Sequence, residues 1–534
     1  MGRMLVTPST QTHVGSASAP VKARALRGDV PVAAAWETRT RTIDPARTAR
    51  EGLRHPTLLP VLLFVVTLGL VLLRQGKLVE FLYPLCAVGI AGFLYWRSPA
   101  HYLGFVCWLV FLSPEVRRLA DFTNGSFNPQ SPIMVAPLAA VALTGLTLLK
   151  HVRLLGQRRT APLVLIVVAL LYAYIVGIAQ VGLAAATFTL IVWLYPVMVA
   201  FYLLVTWRHY PAYHRVLLKT FVYGGILMSV YGLVEFVSPM PWDAFWLNAS
   251  QMHSEGQAVP FGMRVSSTMN SCGPFAATLM VLILMSLAAR GKTRILLGCI
   301  GIPVLLLTGV RSSWGGFAIA LLYPLTMLDG KSRLRLLGAL FGIALLAAPL
   351  MMIDQVSEPV MKRFDSMQNL GDDTSYQSRA AFYKTFMASA LTDIAGQGFG
   401  SIGAGSKLSD DKSAQTMVDF DSGVMEVPYV MGWPGTLLYT TGILMMLWRG
   451  FRASRLRPND MLAVCGVGVA MSTLAMMVMI NTLTATSGMF FFIGVTLPVI
   501  SLRYARARHA RPATSPTFPT SAASATPAAA PVRI

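Results

Sequence analysis

Charged residues are scarce in this chain, and their scarcity excludes a purely soluble protein. They make up 13% of the 534 residues, whereas hydrophobic residues make up 54% and the mean hydropathy is +0.58. A soluble protein carries about 25% charged residues. The sequence therefore predicts a polytopic membrane protein, for which chain length alone gives no domain count.

The sequence also lacks the patterns that mark a metal site, a disulfide framework or an ion-coupled transporter. Its five cysteines form no CxxC pair and no Cys/His cluster. The apolar runs carry no acid or base near their middle, and no internal repeat is evident, although transporters commonly have both. We therefore predict no metal and no cofactor, and we place any chemistry at a membrane face.

Basic residues outnumber acidic ones, and the net charge is +21. Such an excess can indicate nucleic-acid binding. Here the basic residues lie in short loops between apolar runs, which is the pattern of positive charge on cytoplasmic loops. The excess therefore predicts membrane topology, and no nucleic-acid partner is expected.

Apolar runs recur along the chain at the length of a spanning helix, which is about 20 residues. They predict an all-α, polytopic transmembrane helical bundle of about 12–14 spans. The third run is short and only the sequence RQGK joins the first two, so twelve or thirteen spans also fit. Fourteen candidate spans lie near 57–73, 78–96, 101–113, 132–149, 161–181, 185–206, 216–237, 273–289, 294–308, 313–328, 334–352, 428–448, 461–481 and 486–502.

Composition divides the chain into five segments. Residues 353–427 hold eleven acids against six Lys/Arg, and a loop of that length is uncommon unless it is functional. The predicted segments are a basic, disordered cytoplasmic arm at 1–56, transmembrane helices with an outer loop at about 239–272 within 57–352, a large periplasmic loop with short helices at 353–427, C-terminal transmembrane helices at 428–502, and a disordered cytoplasmic tail at 503–534.

The basic loops also predict the orientation of the chain. Counting spans from a cytoplasmic N-terminus places loops such as KHVRLLGQRR and RGFRASRLRP inside, and an even number of spans returns the basic tail to the same side. Both termini are therefore expected in the cytoplasm. The segments RQGK and PEVRRLADF fall outside in this count, against the trend of the other basic loops.

Three arginines fall on the predicted outer face. Arg264 precedes a span, Arg311 lies in a turn between two spans, and Arg379 lies in an amphipathic segment of the long loop. The planar guanidinium donates paired hydrogen bonds to phosphate and stays charged. We interpret three such residues on one face as a phosphate site, although each alone could hold a lipid headgroup.

Two features of the long loop leave alternatives open. The sequence GQGFGSIG, with Gly398 and Gly400, lacks the Lys-Ser/Thr of a P-loop. It predicts either a close approach of the backbone to a glycan or lipid phosphate, or a structural bend. Asp421 and Glu426 stand before an apolar run, where they either stabilise a helix N-terminus or supply a general base for a sugar hydroxyl.

The order and spacing of these motifs resemble the family of O-antigen ligases and Wzy-type polysaccharide polymerases, over about residues 263–434. The stretch RVSSTMNSCGPFA, with Arg264 and Asn270, is similar to the family's R-x-x-G-T-F-x-N-P-N, with NSC in place of NPN. The stretch LLTGVRSSWGG resembles the turn T-x-S-R-G-A and places Arg311 on the family arginine.

The second half of the resemblance lies in the long loop and the helix after it. The stretch from SYQSR to GFGSIG resembles S-R-x-x-x-W … P-L-x-G-x-G-x-G, and it aligns Arg379, Gly398 and Gly400. The stretch DSGVMEVPYVMGWPG resembles H-N-x-x-L-E-x-x-x-E-x-G-x-x-G, with Asp421 on the His, Ser422 on the Asn, Glu426 on the first Glu, and Gly432 and Gly435 on the glycines.

This resemblance implies a metal-independent glycosyltransferase of the bacterial inner membrane, with its active site on the periplasmic side. The implied donor is an oligosaccharide linked to undecaprenyl pyrophosphate, and the acceptor is another lipid-linked repeat unit. The implied catalytic residues are Asp421, Arg311 and Arg379. The implied substrate-binding residues are Arg264, Glu426, Asn270, Gly398 and Gly400.

Asp421 in place of the family His favours one branch of the family. It favours a polymerase of exopolysaccharide, capsule or O-antigen over a ligase that transfers the glycan to lipid A core or protein. A lipid-linked glycan transporter and a non-enzymatic scaffold are the remaining alternatives. Membrane lipid, a chain-length regulator and a flippase are the expected partners.

Cysteine labelling of intact cells tests the orientation. In a variant without the native cysteines, single cysteines within 353–427 should react with a membrane-impermeant maleimide, because the basic loops place that segment outside. Cysteines in either terminal segment should react only after the membrane is opened. Labelling of 353–427 only after opening would contradict this topology.

Overall fold

The computed structural model describes residues 56–348, 393–408 and 422–510, together with residues 352, 357, 361 and 383. Within these residues the regular elements are helices, and the one isolated β-bridge joins Gly256 and Met263. The first nine α-helices are α1 Leu58–Leu72, α2 Gly76–Arg97, α3 Pro99–Asn124, α4 Val135–Ala142, α5 Thr144–Lys150, α6 Ala161–Gln180, α7 Leu183–Val205, α8 Tyr210–Val237 and α9 Pro241–Ser250.

The second half of the described chain contributes seven more α-helices. They are α10 Cys272–Ser286, α11 Lys292–Leu307, α12 Arg311–Met327, α13 Gly330–Ala347, α14 Gly423–Arg455, α15 Met461–Met476 and α16 Ala485–His509. Short 3₁₀ segments lie at Pro132–Met134, Val152–Gly156, Trp207–His209, His253–Glu255 and Gly403–Leu408.

Helices occur at all fourteen predicted spans, and the prediction of an all-α, multi-pass membrane protein is confirmed. Among the described residues, seven helical segments are long and apolar enough to cross a membrane by themselves. Three further apolar helices, α1, α10 and α15, are 15 or 16 residues long. The total of about 12–14 spans stays a prediction.

The third helix differs most from its predicted bounds. The sequence predicts a short span at 101–113 followed by an outer loop, but α3 continues to Asn124 and includes PEVRRLADF. The charged residues extend the helix because they pair along it: Arg117 lies 3.6 Å from Asp121, one turn further on. The guanidinium of Arg117 also lies 4.5 Å from the ring centre of Trp246.

Most acids of the described residues lie at one end of the helical bundle, together with several arginines and lysines, whereas cations predominate at the other end. We call one end the acidic face; among the described residues its acids are Glu80, Glu115, Asp121, Glu235, Asp243, Glu255, Asp393 and Glu426. We call the other end the basic face; its cations include Arg97, Lys150, Arg158, Arg159, Arg208, Arg449 and Arg503. This segregation is the pattern that the basic loops predict.

One buried acid ties three helices together on the basic face. Asp460 accepts hydrogen bonds from the hydroxyls of Tyr210, in α8, and Ser501, in α16. It also accepts a hydrogen bond from the backbone of Ala463 and so caps α15. Arg457 donates to the carbonyl of Ser501 and completes the cluster.

Helix α14 is broken within its first turns. Gly432 has φ 59°, outside the helical region, and Pro434 has no N–H to donate. The carbonyl of Val430 therefore has no partner within the helix, and it accepts a hydrogen bond from the N–H of Gly398 at 2.9 Å. The break thus creates backbone acceptors and donors that another segment can satisfy.

The segment 394–400 forms backbone hydrogen bonds with the groups of α14 that the break leaves without helical partners. Gln397 donates to the carbonyl of Tyr429 at 2.8 Å, and Trp433 donates to the carbonyl of Ile394 at 3.1 Å. On its other side, Phe399 donates to the carbonyl of Ala173 in α6 at 2.9 Å. Irregular backbone among membrane helices requires such pairing, because lipid offers no hydrogen bonds.

Glycines make this packing possible. Gly398 and Gly400 have φ 74° and 91°, and a Cβ on Gly398 would meet the backbone of Gly177 in α6. A Cβ on Gly177 would in turn meet the backbone of Phe399. The close approach that the sequence predicts for this segment is therefore made to neighbouring helices of the same chain.

Substitution of Gly177 tests this contact. Gly177→Ala should lower the melting temperature of the purified protein, because the new methyl group displaces backbone rather than a flexible side chain. Overpacking of this kind costs about 1–3 kcal/mol. The matched control is Gly92→Ala in α2, where a Cβ has no neighbour within 4 Å. Equal melting temperatures for the two variants would contradict the close approach.

Candidate functional site

The acidic face brings Arg264 and the turn before Arg311 together. Arg264 Nε donates to the carbonyl of Thr308 at 3.0 Å, and its Nη1 lies 3.3 Å from the carbonyl of Ser254. Gly309, with φ 63°, reverses the chain after α11, and Arg311 is the first residue of α12. Two arginines that are distant in sequence are thereby placed on adjoining loops.

The loop that carries Arg264 is fixed at both of its ends. Glu255 accepts a hydrogen bond from the backbone N–H of Cys272 at 3.2 Å, at the start of α10. The carbonyl of Glu255 accepts from the N–H of Arg264 at 2.8 Å. Glu255 is buried, and its side chain and carbonyl together hold the loop against α10.

A buried ion cluster lies beneath this loop and is centred on Arg118 of α3. Its guanidinium is 2.8 Å from a carboxylate oxygen of Asp243, 3.5 Å from Glu115 and 3.6 Å from Glu235. Arg118 is 1% exposed and Glu235 0%. The cluster joins α3, α8 and α9, because each helix supplies at least one of its charges.

The same cluster sets the conformation of the loop between Arg264 and α10. Arg118 donates to the carbonyls of Ser267 and Met269. Glu235 accepts from the backbone N–H of Ser266 at 2.9 Å and from that of Ser267 at 2.6 Å. Ser267 has φ 51°, which is uncommon for a residue other than glycine, and these bonds hold it there.

Tyr231 connects the remaining charges of the cluster. Its hydroxyl lies 2.8 Å from a carboxylate oxygen of Glu115 and 2.9 Å from one of Asp243, and it accepts from the indole of Trp242. Burial raises the pKa of Asp243, although Arg118 opposes the rise.

Among the described residues no group of three or more His, Cys, Asp or Glu is arranged to hold a metal.

Asn270 lies at the end of this loop, two residues before α10 begins. Its amide nitrogen is 3.9 Å from the sulfur of Met134. Its Oδ1 is buried and has no hydrogen-bond partner among the described residues. A buried acceptor without a partner is unusual in a folded protein.

The start of α14 forms the second part of the candidate site. Ser422 precedes the helix, is buried, and lies 3.0 Å from the hydroxyl of Tyr383. Glu426 is half-buried in the first turn, where the helix dipole favours an acid. Glu426 is also within electrostatic reach of Tyr439, whose buried hydroxyl has no described hydrogen-bond partner.

An apolar cavity of about 430 Å³ lies beside this first turn. Side chains and backbone of α14 form most of its wall, and the end of α15 closes it. Its lining includes Tyr383, Val424, Pro428, Trp433, Tyr439 and Leu483. The cavity therefore places apolar surface directly below the segment that carries Glu426.

Helix α15 connects the two parts of the site. A Cβ on Gly316, in α12, would touch the sulfur of Met476, at the end of α15. The next carbonyl along the chain, that of Met477, accepts from the N–H of Val424 at 3.2 Å. The helices that begin at Arg311 and at Gly423 therefore start on the same face, with the end of α15 between them.

The predicted site residues have different outcomes. Asp421 and Arg379 lie outside the described residues. The structure brings Arg264 and Arg311 to adjoining loops and places Asn270 later in the loop that carries Arg264. Glu426 lies at the start of α14. The contacts described for Gly398 and Gly400 are made with α6 and α7, and their assignment to substrate binding stays a prediction.

The sequence did not single out the ion cluster around Arg118. The count of spans places PEVRRLADF outside, against the charge trend of the other basic loops. A usable signal was present: Glu115 and Arg118 stand three residues apart, and Arg117 and Asp121 four apart, which are spacings of neighbours on one helix face. The partners Glu235 and Asp243 depend on tertiary contacts and carry no local signal.

No family model, no curated protein and no solved structure matches this chain. The resemblance in sequence therefore depends on the quoted motifs alone.

Removal of the Arg118 charge should strongly destabilise the acidic face. Arg118→Leu leaves two buried carboxylates and the half-buried Glu115 without their cation, and breaking a buried pair costs about 3–5 kcal/mol. The variant should melt at a lower temperature and be cleaved faster by protease near residues 251–271. Adding Asp243→Asn should restore part of the loss, because it removes one uncompensated charge. Strictly additive losses would contradict a shared charge cluster.

Proposed function

We propose that this chain is a polymerase of a bacterial surface polysaccharide, namely an exopolysaccharide, a capsule or an O-antigen. The observation that supports it best is the convergence of Arg264, Arg311 and the start of α14 on one face, beside an apolar cavity. Cations that suit a diphosphate thus stand on the same face as a cavity that suits a lipid chain.

The proposed reaction transfers a glycan between two lipid carriers. A hydroxyl of the acceptor repeat unit attacks the anomeric carbon of the donor glycan, and a new glycosidic C–O bond forms. The bond from that carbon to the diphosphate breaks, and undecaprenyl pyrophosphate leaves with the electron pair. The hydroxyl proton passes to a carboxylate, so the step balances without a metal or a cofactor.

The arginines have an electrostatic role in this proposal. Negative charge grows on the diphosphate as it leaves, and guanidinium groups that are already oriented stabilise that charge best. Arg264 is oriented by carbonyls on two loops, and Arg311 begins α12, where the positive end of the helix dipole adds to its charge. Arg379 is assigned the same role from sequence.

Asp421 is the proposed general base. It directly precedes Ser422 in sequence and lies outside the described residues. A general base must come within hydrogen-bond reach of the hydroxyl that it deprotonates. The position of Glu426 suits an orienting role for the acceptor, because it is a half-buried carboxylate next to the cavity.

The apolar cavity suits the first isoprene units of a carrier lipid. Its lining is almost wholly apolar, and it lies beside the first turn of α14 rather than at a centre of charge. A lipid held there would keep its diphosphate at the level of the first turn of α14. The proposed location is the periplasmic side of the inner membrane, since the basic face is expected in the cytoplasm.

The test is Asp421→Asn in a strain that depends on this chain for its polymer. The amide has nearly the same shape but takes no proton, and loss of a general base costs about 10²–10⁴-fold in rate. Polymer should disappear while the protein still accumulates in the membrane. Single lipid-linked repeat units should build up, and Arg311→Lys should give the same intermediate.

The matched controls are Asp411→Asn, in the same loop but outside the quoted motifs, and Arg333→Lys on the basic face; both should leave polymer normal. Accumulation of long lipid-linked chains would replace the polymerase by a ligase. Normal polymer from Asp421→Asn and Arg311→Lys together would remove both residues from the reaction and leave the scaffold alternative.

A further inference from the structure

The basic face contains a second concentration of charge, which the proposed reaction does not use. Five arginines from four parts of the chain meet there, and we call them the arginine patch. None of the five forms an ion pair within the described part of the chain. They are Arg158 and Arg159 before α6, Arg208 after α7, Arg449 in α14 and Arg503 in α16.

Arg449 holds one side of the patch in place. It is half-buried, and its two terminal nitrogens donate to the carbonyls of Arg158 and Arg159. This paired contact fixes the loop before α6 against the end of α14. The side chains of Arg158 and Arg159 remain exposed, so the contact positions two further cations at the surface.

Trp207 organises the other side. The guanidinium of Arg503 lies 4.4 Å from the ring centre of Trp207, and that of Arg208 lies 5.6 Å from it. Arg503 also lies 3.4 Å from the carbonyl of Leu204. Arg159 and Arg208 are close enough to Arg503 to repel it, and like charges at this range destabilise one another.

The described chain offers this patch no counter-charge. Asp460, the buried acid of this face, is occupied by Tyr210, Ser501 and the start of α15. The sequence that follows α16, from residue 511 to the end, contains no Asp or Glu. Neither the ion pairs of the described residues nor the segment after α16 therefore neutralises the patch, and an anion from outside the chain would relieve the repulsion among its ordered arginines.

The surroundings of the patch indicate the kind of anion. Trp448, next to Arg449, is 62% exposed, and Leu444, one turn away on the same helix, is 58% exposed. In a membrane helix such side chains face the acyl chains, and aromatic rings lie at headgroup level. An anion that fits both surfaces has a phosphate head and hydrocarbon tails.

We propose that the arginine patch binds the headgroup of an anionic phospholipid, with its acyl chains along the exposed face of α14. Basic pockets between membrane helices commonly bind headgroups of this kind. Several unpaired arginines favour a headgroup with two phosphodiesters, as in a diphosphatidylglycerol, over one with a single phosphate. The arginines lie on the face opposite Arg264 and Arg311, so binding of the headgroup does not depend on glycosyl transfer, although Leu444 also lines the apolar cavity.

Lipid binding to the purified full-length protein tests the proposal by native mass spectrometry. Diphosphatidylglycerol should bind more tightly than phosphatidylglycerol, and phosphatidylcholine should bind weakly. Each arginine near a lipid surface contributes about a fivefold change in affinity. The double variant Arg159→Gln with Arg503→Gln should therefore bind diphosphatidylglycerol roughly 30-fold more weakly.

The matched control is Arg294→Gln with Arg335→Gln, since both residues are exposed arginines of the basic face outside the patch; its affinity should stay within about twofold. If the first variant does not fold, Arg208→Gln alone should weaken binding about fivefold. Equal binding of phosphatidylcholine, equal loss in the control, or displacement of the lipid by millimolar inorganic phosphate would overturn the proposal. The last result would identify a site for free phosphate instead.

Discussion

The acidic face depends on the pairing of Arg118 with the buried carboxylates of Glu235 and Asp243 and the half-buried one of Glu115. A charge among membrane helices is tolerated only where it has partners, and here the partners come from α8, α9 and the end of α3 itself. The pairing fixes two helices against a third, and through the backbone of Ser267 it also fixes the loop that carries Arg264 and Asn270. The position of the loop that carries Arg264 therefore depends on the buried charge of Arg118.

The break in α14 shows that backbone polar groups among membrane helices need partners just as charged side chains do. Gly432 and Pro434 leave peptide groups without helical partners, and the segment 394–400 supplies them. The first turn of α14, with Glu426, can therefore point away from the rest of the helix at no cost in lost hydrogen bonds. The glycines that resemble the family's pattern have a packing reason in this chain, since Gly432 and Gly435 both meet neighbouring segments.

Most of the fold could be predicted from the sequence, because membrane helices are defined by their own composition. The apolar runs located α6, α7, α8 and α16 to within a few residues, except where charged turns lengthen α8 and α16. The extension of α3 was missed because its charges looked like those of a loop until their partners were known. The places of Arg264 and Arg311 next to spans could be predicted, but those of Glu235 and Asp243 in the ion cluster could not, because they arise from contacts between distant parts of the chain.

The pairing of segment 394–400 with α14 has a consequence for the order in which the chain assembles. The ribosome completes residues 394–400 before it makes Tyr429 and Val430, whose carbonyls this segment binds. The partner in α6 is present early, but the one in α14 is not. The hydrogen bonds between this segment and α14 can therefore form only after α14 has been synthesised. Until then α6 is the only one of the two helices that can bind it.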